Sequence, residues 1–573
     1  KRLLPYMREH ISYAILSPIL MILEVLGDIA VPYLMSRIVD IGIRNQDIQY
    51  VIKIGIIMIL TALLAMVFGI LSAHCGARAG YGFASEIRLE TFKKVQGFSF
   101  ANLDQFSVSS LITRLTNDIN TLGQVTMMSL RMGVRAPFMM IFALAMSFTI
   151  NSSLAMIFGV SIPITIIIVI IVLTKARPLF LEIQSRVDGV NAIIKENLAA
   201  IGVVKSFNRQ THEELRFEER NTSLMTSALK AISIIVFAMP VANLIVYGTI
   251  IAVLWFGGQQ ILVGRMQTGE LMSFITYITQ VMMSVMMMSM FFMQLLRGAA
   301  SKDRILAVWD TESEIIEVED PIYELNDASI EFKDVNFCYP GSRENVLRNI
   351  NLSIKPGEII GIIGSTGSSK TSLVQLIPRL YEANCGSVSV GGNDVKNYSI
   401  KALRDQVAFV LQKNTLFSGT IRENMQWGNE KATDEEIINA LKQAQAWEFV
   451  SKNKGGLDSR VEQGGNNFSG GQKQRLSIAR ALVKHPKIII LDDSTSAVDM
   501  DTDAKIQEAF RTELDGVTTI IIGQRISSIQ HADRILVMHQ GQIESLGSHA
   551  DLMKSSPIYR EIYESQQKGV VGE

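Results

Sequence analysis

Long apolar runs without charge dominate the first half of the chain. Residues 54–77, 136–174, 231–264 and 271–296 contain no Asp, Glu, Lys or Arg. A membrane-spanning helix needs about 20 mostly apolar residues, and a soluble core helix rarely runs this far without a charge. The pattern therefore predicts six spans, which we place at residues 11–39, 54–77, 130–150, 154–174, 235–257 and 271–296.

Helical periodicity continues in the two long connections between spans, residues 78–135 and 175–230, and Arg131 and Arg135 are among the basic residues of the first. Val190, Ile194 and Leu198 recur at the spacing of one helix face, and little Gly or Pro interrupts the pattern. Spans two to five are therefore expected to continue as helices beyond the membrane. At 1.5 Å per residue, about 25 further residues would reach roughly 35–40 Å into the cytoplasm.

The charges of the chain give an orientation. The formal net charge is −1, but residues 1–310 carry +7 and residues 311–573 carry −8. The excess Lys and Arg of the first part lies in the two long connections, whereas the alternate connections are short and poor in basic residues. Basic loops stay on the cytoplasmic side. The sequence thus predicts a multi-pass protein of the cell membrane, with its second part in the cytoplasm.

A different pattern begins after an acidic segment at residues 311–329, which we interpret as a linker. Residues 358–363 predict a buried strand, and Gly364 follows it directly in the run GSTGSSKTS, ending at Ser372. A strand, a glycine-rich loop, Lys-Thr and a helix form the context of a phosphate-binding loop. In such a loop Lys370 binds the β- and γ-phosphates of a nucleotide, and the Thr371 hydroxyl is a magnesium ligand.

Two further motifs support a nucleotide site. The apolar strand at residues 487–491 ends in Asp492, and a carboxylate at that place beside a phosphate loop typically holds magnesium. Ser469, Gly470, Gly471 and Gln472 open a helical stretch, and a helix start of this kind binds anions. The order of these motifs predicts an α/β P-loop nucleotide-binding domain at residues 330–573, fused to a transmembrane domain at residues 1–310.

With these motifs the chain resembles a half-transporter of the ATP-binding cassette (ABC) exporters, with six spans fused to one nucleotide-binding domain. The resemblance implies ATP and Mg²⁺ as cofactors and gives further residues a role. Tyr339 would stack on adenine, Gln412 would lie near magnesium and the γ-phosphate, and Asp499 would be the D-loop aspartate. Walker A would comprise Gly364, Ser365, Thr366, Gly367, Ser368, Ser369, Lys370, Thr371 and Ser372. Asp492 would be the Walker B aspartate, and Ser469–Gln472 the signature motif.

Three positions depart from the family pattern. Ser369 replaces the glycine before the Walker A lysine, Asp493 replaces the catalytic glutamate, and Gln524 replaces the switch histidine. An aspartate is one methylene shorter than a glutamate, so its carboxylate falls roughly 1 Å or more short of the attacking water. General-base catalysis contributes about 10²–10⁴-fold and requires hydrogen-bond reach. The departures predict a slow hydrolytic site.

An intact signature beside a degenerate Walker site suggests a heterodimer. The partner would be a different half-transporter with its own glutamate and histidine, as in heterodimeric bacterial multidrug exporters. Its active site would be completed by this chain's Ser469–Gln472. Two alternatives stay open: a homodimeric lipid or peptide exporter, and an ATP-gated regulatory or channel-like module. The near-neutral charge and the six spans exclude a nucleic-acid partner and leave the lipid bilayer and hydrophobic small molecules.

The spans offer candidate substrate residues. Glu24 and Asp28 lie one helical turn apart in the first span, and intramembrane carboxylates usually face a cavity or a partner. The sixth span is rich in methionine, a flexible residue that is common on permissive binding surfaces. From that span we selected Met282, Met286 and Met290 as substrate contacts.

Overall fold

The computed structural model describes residues 3–342, 344–514 and 516–570, and the chain folds into two compact units. The first unit comprises Lys1–Gln96 and Ser109–Asp310, and the second comprises Gly97–Val108 and Thr311–Glu573. The sequence assigned all of residues 1–310 to the membrane domain. In the structure, residues 97–108 of that range fold with the second unit.

The first unit is helical. Its helices, with the short helices that join them, are α1 (Ile11–Arg37), α2 (Ile48–Gln96), α3 (Phe100–Gln105, folded with the second unit), α4 (Val108–Thr113), α5 (Ile119–Ile150), α6 (Ser152–Ala155), α7 (Phe158–Ala199), α8 (Ile201–Ser206), α9 (Gln210–Leu262) and α10 (Thr268–Asp310). A 3₁₀ helix precedes α1 at Leu4–His10, and π-helical turns lie at Ile38–Ile43 and Arg114–Asp118.

Six helical segments among the described residues are long and apolar enough to cross a membrane, which confirms the six predicted spans. They are Leu4–Ile43, Ile48–Gln96, Val108–Ile150, Ser152–Ala199, Pro240–Leu262 and Thr268–Asp310. The long connections are helical, as the periodicity predicted, since α2 has 49 residues and α9 has 53. The final span is longer than predicted, because α10 runs on to Asp310.

Burial separates the lipid-facing helices from the centre of the first unit. On α2, apolar residues such as Ile56, Leu60 and Leu63 are exposed, as expected of side chains whose solvent is lipid. On α10, Phe274 and Tyr277 are fully buried against α1, and the Tyr277 hydroxyl donates to the carbonyl of Ile29 at 2.9 Å. Helix α10 is therefore a central packing element.

The second unit contains the sheets of the protein. Its strands are β1 (Ile330–Phe337), β2 (Leu347–Ile354), β3 (Ile359–Gly364), β4 (Cys385–Val390), β5 (Asn393–Asp394), β6 (Val407–Val410), β7 (Gly419–Thr420), β8 (Arg460–Val461), β9 (Ile488–Asp492), β10 (Thr518–Ile522), β11 (Arg534–His539) and β12 (Gln542–Gly547). Its helices after α10 are α11 (Lys370–Gln375), α12 (Ile400–Gln406), α13 (Ile421–Gln426), α14 (Asp434–Gln443), α15 (Trp447–Lys452), α16 (Gly470–Leu482), α17 (Met500–Glu513), α18 (His549–Ser555) and α19 (Pro557–Val570).

The larger sheet determines where the functional loops meet. Its strand order is β12-β11-β3-β10-β9-β6, and β11, β3, β10, β9 and β6 are parallel. These strands are nearly continuous runs of Ile, Leu and Val because both faces are covered. Carboxyl ends of parallel strands lie at one edge, so the loops after β3, β6, β9 and β10 converge there.

The acidic segment at residues 311–329 and the stretch at 97–108 both pack into the second unit. Leu325 and Ala328 are buried in the core under the four-stranded sheet β2-β1-β4-β5, and so is Ala101 of α3. The ring of Phe100 meets the ring of Tyr381 edge-on, with centroids 6.0 Å apart. The segment interpreted as a linker thus contributes apolar side chains to the core.

Candidate nucleotide site and intramembrane cavity

The loop after β3 is built to receive phosphate. Its lysine ammonium turns back onto the loop, where Lys370 Nζ donates to the carbonyls of Gly364 and Ser365 at 2.8 and 3.1 Å. Burial lowers the pKa of Lys370, while the nearby charges of Asp492 and Asp493 act in the opposite direction. A phosphate group would replace these carbonyl contacts with a charge-assisted bond, which is stronger.

Backbone geometry explains two residues of the loop. A Cβ on Gly364 would lie 2.2 Å from the carbonyl oxygen of Met538 on β11, so only glycine fits there. Ser369 has a φ of +71° at the N-cap of α11, in the left-handed region that glycine adopts without strain. A side chain there costs roughly 1–2 kcal/mol. The departure at Ser369 is therefore a local strain within the loop.

The end of β9 presents a carboxylate to the same loop. The Thr371 hydroxyl donates to Asp492 Oδ1 at 3.1 Å, and Asp492 is only 2% exposed. Its second oxygen, Oδ2, is buried without a hydrogen-bond partner among the described residues. Burial raises the pKa of Asp492, and the neighbouring Asp493 raises it further. A hydroxyl and a partly unpaired carboxylate fit Mg²⁺, which would supply charge neutralisation at the phosphates.

Two amide side chains hold the carboxylate of Asp493. Gln524 Nε2 donates to Asp493 Oδ2 at 2.7 Å, and Gln412 Nε2 donates to the same oxygen at 3.4 Å. The backbone of Asp493 has a φ of +48°, which aspartate tolerates better than most residues. Burial raises the pKa of Asp493, although the two amides act in the opposite direction. The structure thus brings together three of the residues singled out from the sequence.

Tyr339 lies beside the phosphate loop in a cluster of aromatic rings. Its hydroxyl shares a hydrogen bond of 2.8 Å with Ser372 Oγ, and its ring contacts Phe337 and Tyr381 edge-on with centroids 5.0 and 5.2 Å away. Burial raises the pKa of Tyr339. A cavity of about 440 Å³ adjoins these rings, next to Pro340. Stacking of Tyr339 on a base stays a prediction.

The signature residues form a well-defined helix start. Ser469 caps α16, because its side chain accepts from the Gln472 N–H while the Gln472 side chain accepts from the Ser469 N–H. This is a capping box, and Ser469 and Gly470 are exposed. Gly471 approaches the loop after β9 so closely that a Cβ would lie 2.8 Å from the Ala497 carbonyl oxygen. The signature helix is thereby fixed to the Walker B loop.

Asp499 begins the next helix. Its side chain accepts from the Thr502 N–H at 2.9 Å, which caps α17 and lowers the pKa of Asp499. Gln474 of the signature helix donates to Ser496 Oγ at 3.3 Å and accepts from the Ala497 N–H at 3.0 Å. The D-loop is therefore held between the Walker B strand and the signature helix.

In the first unit, the two predicted carboxylates share an arginine. Arg135 of α5 donates to Glu24, and its second nitrogen lies 2.7 Å from Asp28 Oδ2. Gly69 of α2 provides the space, because a Cβ there would lie 2.9 Å from the Glu24 carboxyl group. We refer to Glu24, Asp28 and Arg135 as the charged triad. The ion cluster thus links α1 and α5, and α2 packs closely against it at Gly69.

A cavity of about 240 Å³ lies beside the charged triad. Its walls include Asp28, Arg135, Gln280 and two methionines of α10, Met283 and Met287. Gln280 Oε1 and Glu24 Oε2 are buried and have no hydrogen-bond partner among the described residues. Because Gln280 lines the cavity, the apolar walls are combined with a polar atom that lacks a hydrogen-bond partner.

The three methionines selected from the sequence do not line this cavity. Met282 is 1% exposed and packs in the core, where its sulfur accepts from the Thr165 hydroxyl at 3.5 Å. Met286 is half-buried, and Met290 is exposed on the surface of the unit. Helical spacing alone left the rotation of α10 undetermined, and the face next to the selected one borders the cavity.

Comparison with known proteins decides the family. Residues 14–285 match the family described as "ABC transporter transmembrane region", and residues 347–496 match the family "ABC transporter". YfiB of Bacillus subtilis (strain 168), an uncharacterized ABC transporter ATP-binding protein, is 40% identical over 566 residues, covering 99% of this chain and 98% of that one. The chain belongs to the ABC transporters. Its six spans fused to one cassette make it an exporter of this family.

Two further relatives place this exporter among known ones. The ATP-dependent lipid A-core flippase of Desulfotalea psychrophila (strain LSv54 / DSM 12343) is 31% identical over 539 residues, covering 93% of each chain. The solved structure of a bacterial Atm1-family ABC exporter with ATP bound superposes with a TM-score of 0.82 at 23% identity, covering 98% of this chain and 99% of that one. The latter likeness establishes the fold. The exporter's cassette is that of a family which hydrolyses ATP coupled to transport.

Sequence reasoning missed two residues of this exporter whose contacts join distant parts of the chain at the candidate sites. Arg135 was counted among the basic residues that set the orientation, yet it pairs with Glu24 and Asp28. The available signal was the coincidence of one arginine and two carboxylates in different spans. Tyr381 was not considered, and its hydroxyl donates to Asp104 at 2.6 Å beside α3. No local pattern marks that contact, because 277 residues separate the pair.

Proposed function

We propose that this exporter moves hydrophobic or amphipathic compounds across the cytoplasmic membrane as one half of a heterodimer. Its own Walker site would bind ATP and hydrolyse it poorly, while its signature motif completes the hydrolytic site of a different half-transporter. The observation that carries the proposal is the position of Asp493, where the family has glutamate, with its carboxylate held by Gln524 and Gln412.

The residues of this chain's Walker site favour binding of ATP over its hydrolysis. A general base must reach the water it deprotonates, and the Asp493 carboxylate is short and already accepts two hydrogen bonds. Gln524 can donate to a γ-phosphate but carries no imidazolium charge. Burial raises the pKa of Asp492 and of Asp493, the two acidic neighbours of Lys370, and so disfavours a negative charge on either carboxylate. Phosphate binding stays possible because Lys370, Thr371 and Asp492 are arranged normally.

The start of α16, where the signature motif lies, has the features that we expect of a motif that contacts ATP bound to a partner subunit. Helix α16 has 13 residues and a complete capping box at Ser469, so its dipole and free N–H groups point outward from a rigid start. Gly470 is exposed, and Ala497 supports Gly471 from behind. An intact signature motif in the same chain as Asp493 supports a heterodimer in which this chain completes the hydrolytic site and the partner supplies the catalytic glutamate.

The cavity beside the charged triad supports an amphipathic substrate. Its methionines Met283 and Met287 are flexible and polarizable, and they can adapt to differing apolar shapes. Its polar side, formed by Asp28, Arg135 and Gln280, would take the polar end of such a molecule. The charged triad is therefore our candidate for the substrate-binding residues, with Glu24 acting through Arg135.

A lipid exporter is the second candidate, because one relative is a lipid A-core flippase. In that case the chain would act as a homodimer with a sluggish site. A third reading, an ATP-gated regulatory or channel-like module, would show conductance without vectorial transport.

The decisive experiment compares the ATPase activity of the purified chain with that of the chain co-expressed with a candidate partner, namely any half-transporter whose gene adjoins that of this chain. Brisk hydrolysis by this chain alone would overturn the heterodimer proposal. In the pair, replacing the partner's catalytic glutamate should abolish turnover, whereas Asp493→Asn should change it less than about threefold. The fold of each variant is checked by photolabelling with 8-azido-ATP, which does not depend on hydrolysis.

Substrate class is tested in vesicles that contain the reconstituted pair. ATP-dependent uptake of a small panel of fluorescent dyes and labelled phospholipids distinguishes multidrug-type export from lipid translocation. Uptake of dyes with no lipid movement supports the leading proposal, and lipid movement without dye uptake supports the second. Membrane conductance with neither kind of uptake supports the channel-like module.

A further inference from the structure

The C-terminal helix α19 is anchored on the core of the nucleotide-binding unit. Tyr559 is fully buried, and its hydroxyl shares a hydrogen bond of 2.7 Å with His549 Nδ1. Ile562 and Tyr563 pack against the same core one turn later. Because 559, 562, 563 and 566 fall on one helix face, the anchored face points Gln566 toward the protein.

Gln566 binds the backbone of the segment Gln524–Ile526, which follows β10 and which we call the switch loop, with both ends of its amide group. Its Oε1 accepts from the N–H of Ile526 at 2.9 Å, and its Nε2 donates to the carbonyl of Gln524 at 2.7 Å. The two contacts flank Arg525. One rigid planar group therefore sets the position of two peptide units, and it does so from a helix that is fixed by its own buried side chains.

The clamped peptide units carry the side chain that meets Asp493. Gln524 Nε2 lies 2.7 Å from Asp493 Oδ2, so displacement of the Gln524 backbone would move its amide away from the carboxylate. Ile526 is only 2% exposed, and its N–H donates to the side chain of Gln566. Loss of that acceptor leaves a donor in an apolar setting, which favours a rearranged loop.

We infer that Gln566 is a positioning residue of the nucleotide site: its amide holds the switch loop so that Gln524 faces Asp493 and the γ-phosphate. The inference rests on the proposed role of Gln524. It goes beyond that role because it assigns the C-terminal helix a part in nucleotide retention. It does not require a heterodimer, since the contacts lie within one nucleotide-binding unit.

The test uses the full-length chain in its native assembly and the variant Gln566→Leu, which keeps side-chain size and removes both hydrogen bonds. Radiolabelled 8-azido-ATP with Mg²⁺ is bound, and the half-time of its release from this chain is followed by photolabelling. We expect release about tenfold faster, the change that loss of one or two hydrogen bonds produces. Gln567→Leu is the matched control, because the Gln567 amide donates to the Tyr563 hydroxyl and not to the switch loop.

A double variant separates positioning from general stability. Gln524→Ala alone should shorten retention, and adding Gln566→Leu should shorten it no further if Gln566 acts through Gln524. Effects that multiply, or a Gln566→Leu variant with wild-type retention, overturn the inference. Gln524→Ala without effect overturns the proposed role of Gln524 itself. Gln566→Glu, which can still accept from Ile526 but cannot donate to Gln524, should give intermediate retention.

Discussion

The side-chain amide of Gln524 donates a hydrogen bond of 2.7 Å to the carboxylate of Asp493. Gln524, at the position of the family's switch histidine, thus contacts Asp493, at the position of its catalytic glutamate, directly. A hydrogen bond from a neutral amide keeps the carboxylate in place but does not draw a proton from water. This hydrogen bond supports our proposal that the site binds ATP and hydrolyses it slowly.

Lengthening the catalytic side chain should restore hydrolysis. Asp493→Glu adds the missing methylene, and combined with Gln524→His it rebuilds the family pattern. We expect single-turnover hydrolysis at this site to rise at least about tenfold, a modest share of the 10²–10⁴-fold that a general base supplies. The measurement is conversion of bound radiolabelled ATP to ADP on this chain.

Asp493→Asn is the control for that gain, since it keeps the size of the side chain, and its amide oxygen can take the place of Oδ2 and accept from Gln524 and Gln412 without being a base. An equal rise with asparagine would show that the gain does not come from base catalysis.

The pH dependence of stability should change when Asp493 is neutralised. Burial raises the pKa of Asp493, so the folded state holds that proton more tightly than the unfolded state. Stability from this group is complete below the ordinary pKa of 3.8 and is lost as the pH rises through the raised value. Asp493→Asn should therefore raise the unfolding midpoint of the nucleotide-free, Mg²⁺-free protein at about pH 8, and the gain should shrink toward about pH 5. A gain that grows on acidification contradicts this.

Glycine at position 369 should remove the backbone strain of the phosphate loop. Ser369 has a φ of +71°, which costs roughly 1–2 kcal/mol for a residue with a Cβ. Glycine loses roughly 0.5–1 kcal/mol of that gain to chain entropy, so Ser369→Gly should stabilise by up to about 1 kcal/mol. Ser369→Ala retains the Cβ and should not stabilise. Chemical unfolding of the nucleotide-free protein compares the two, and equal effects would exclude backbone strain as the cause.

The charged triad should respond asymmetrically to neutralisation. Arg135→Gln leaves Glu24 and Asp28 facing each other without a counter-charge. Because these side chains are 13–31% exposed, we expect the variant to be destabilised by less than the roughly 3–5 kcal/mol that breaking a fully buried pair costs. Glu24→Gln leaves the contact between Arg135 and Asp28 intact and should cost far less. Thermal unfolding in detergent measures both variants. A Glu24→Gln variant as unstable as Arg135→Gln would show that the arginine is not the centre of the cluster.

The contact between α3 and the nucleotide-binding core should affect coupling. The Tyr381 hydroxyl donates to Asp104 at 2.6 Å, and Tyr381→Phe removes that bond while keeping the packing against Phe100 and Phe337. We expect ATP binding to be unchanged and substrate-stimulated ATPase activity to fall about threefold to tenfold, as one lost hydrogen bond of about 1 kcal/mol predicts. Asp104→Asn should give the same phenotype, and normal stimulation in both variants would remove this contact from the coupling pathway.

Much of the fold could be predicted from local patterns. Spans, strands and the phosphate loop each follow from a short stretch of chain, because membrane thickness, strand alternation and phosphate geometry act over a few residues. The departures at Ser369, Asp493 and Gln524 were visible in the same way. Local patterns cannot give the rotation of a helix about its axis. For that reason Met283 and Met287 border the cavity, and the predicted Met282, Met286 and Met290 do not.

The sequence by itself determined that this chain has six spans, a nucleotide-binding domain, and an aspartate at position 493, where the family resemblance implies a glutamate. Only the tertiary structure decided that Arg135 joins Glu24 and Asp28, and that Gln566 reaches the switch loop. The reason is physical. These contacts join residues 40 to 111 positions apart, and whether their side chains meet depends on how whole helices and strands pack around a shared core.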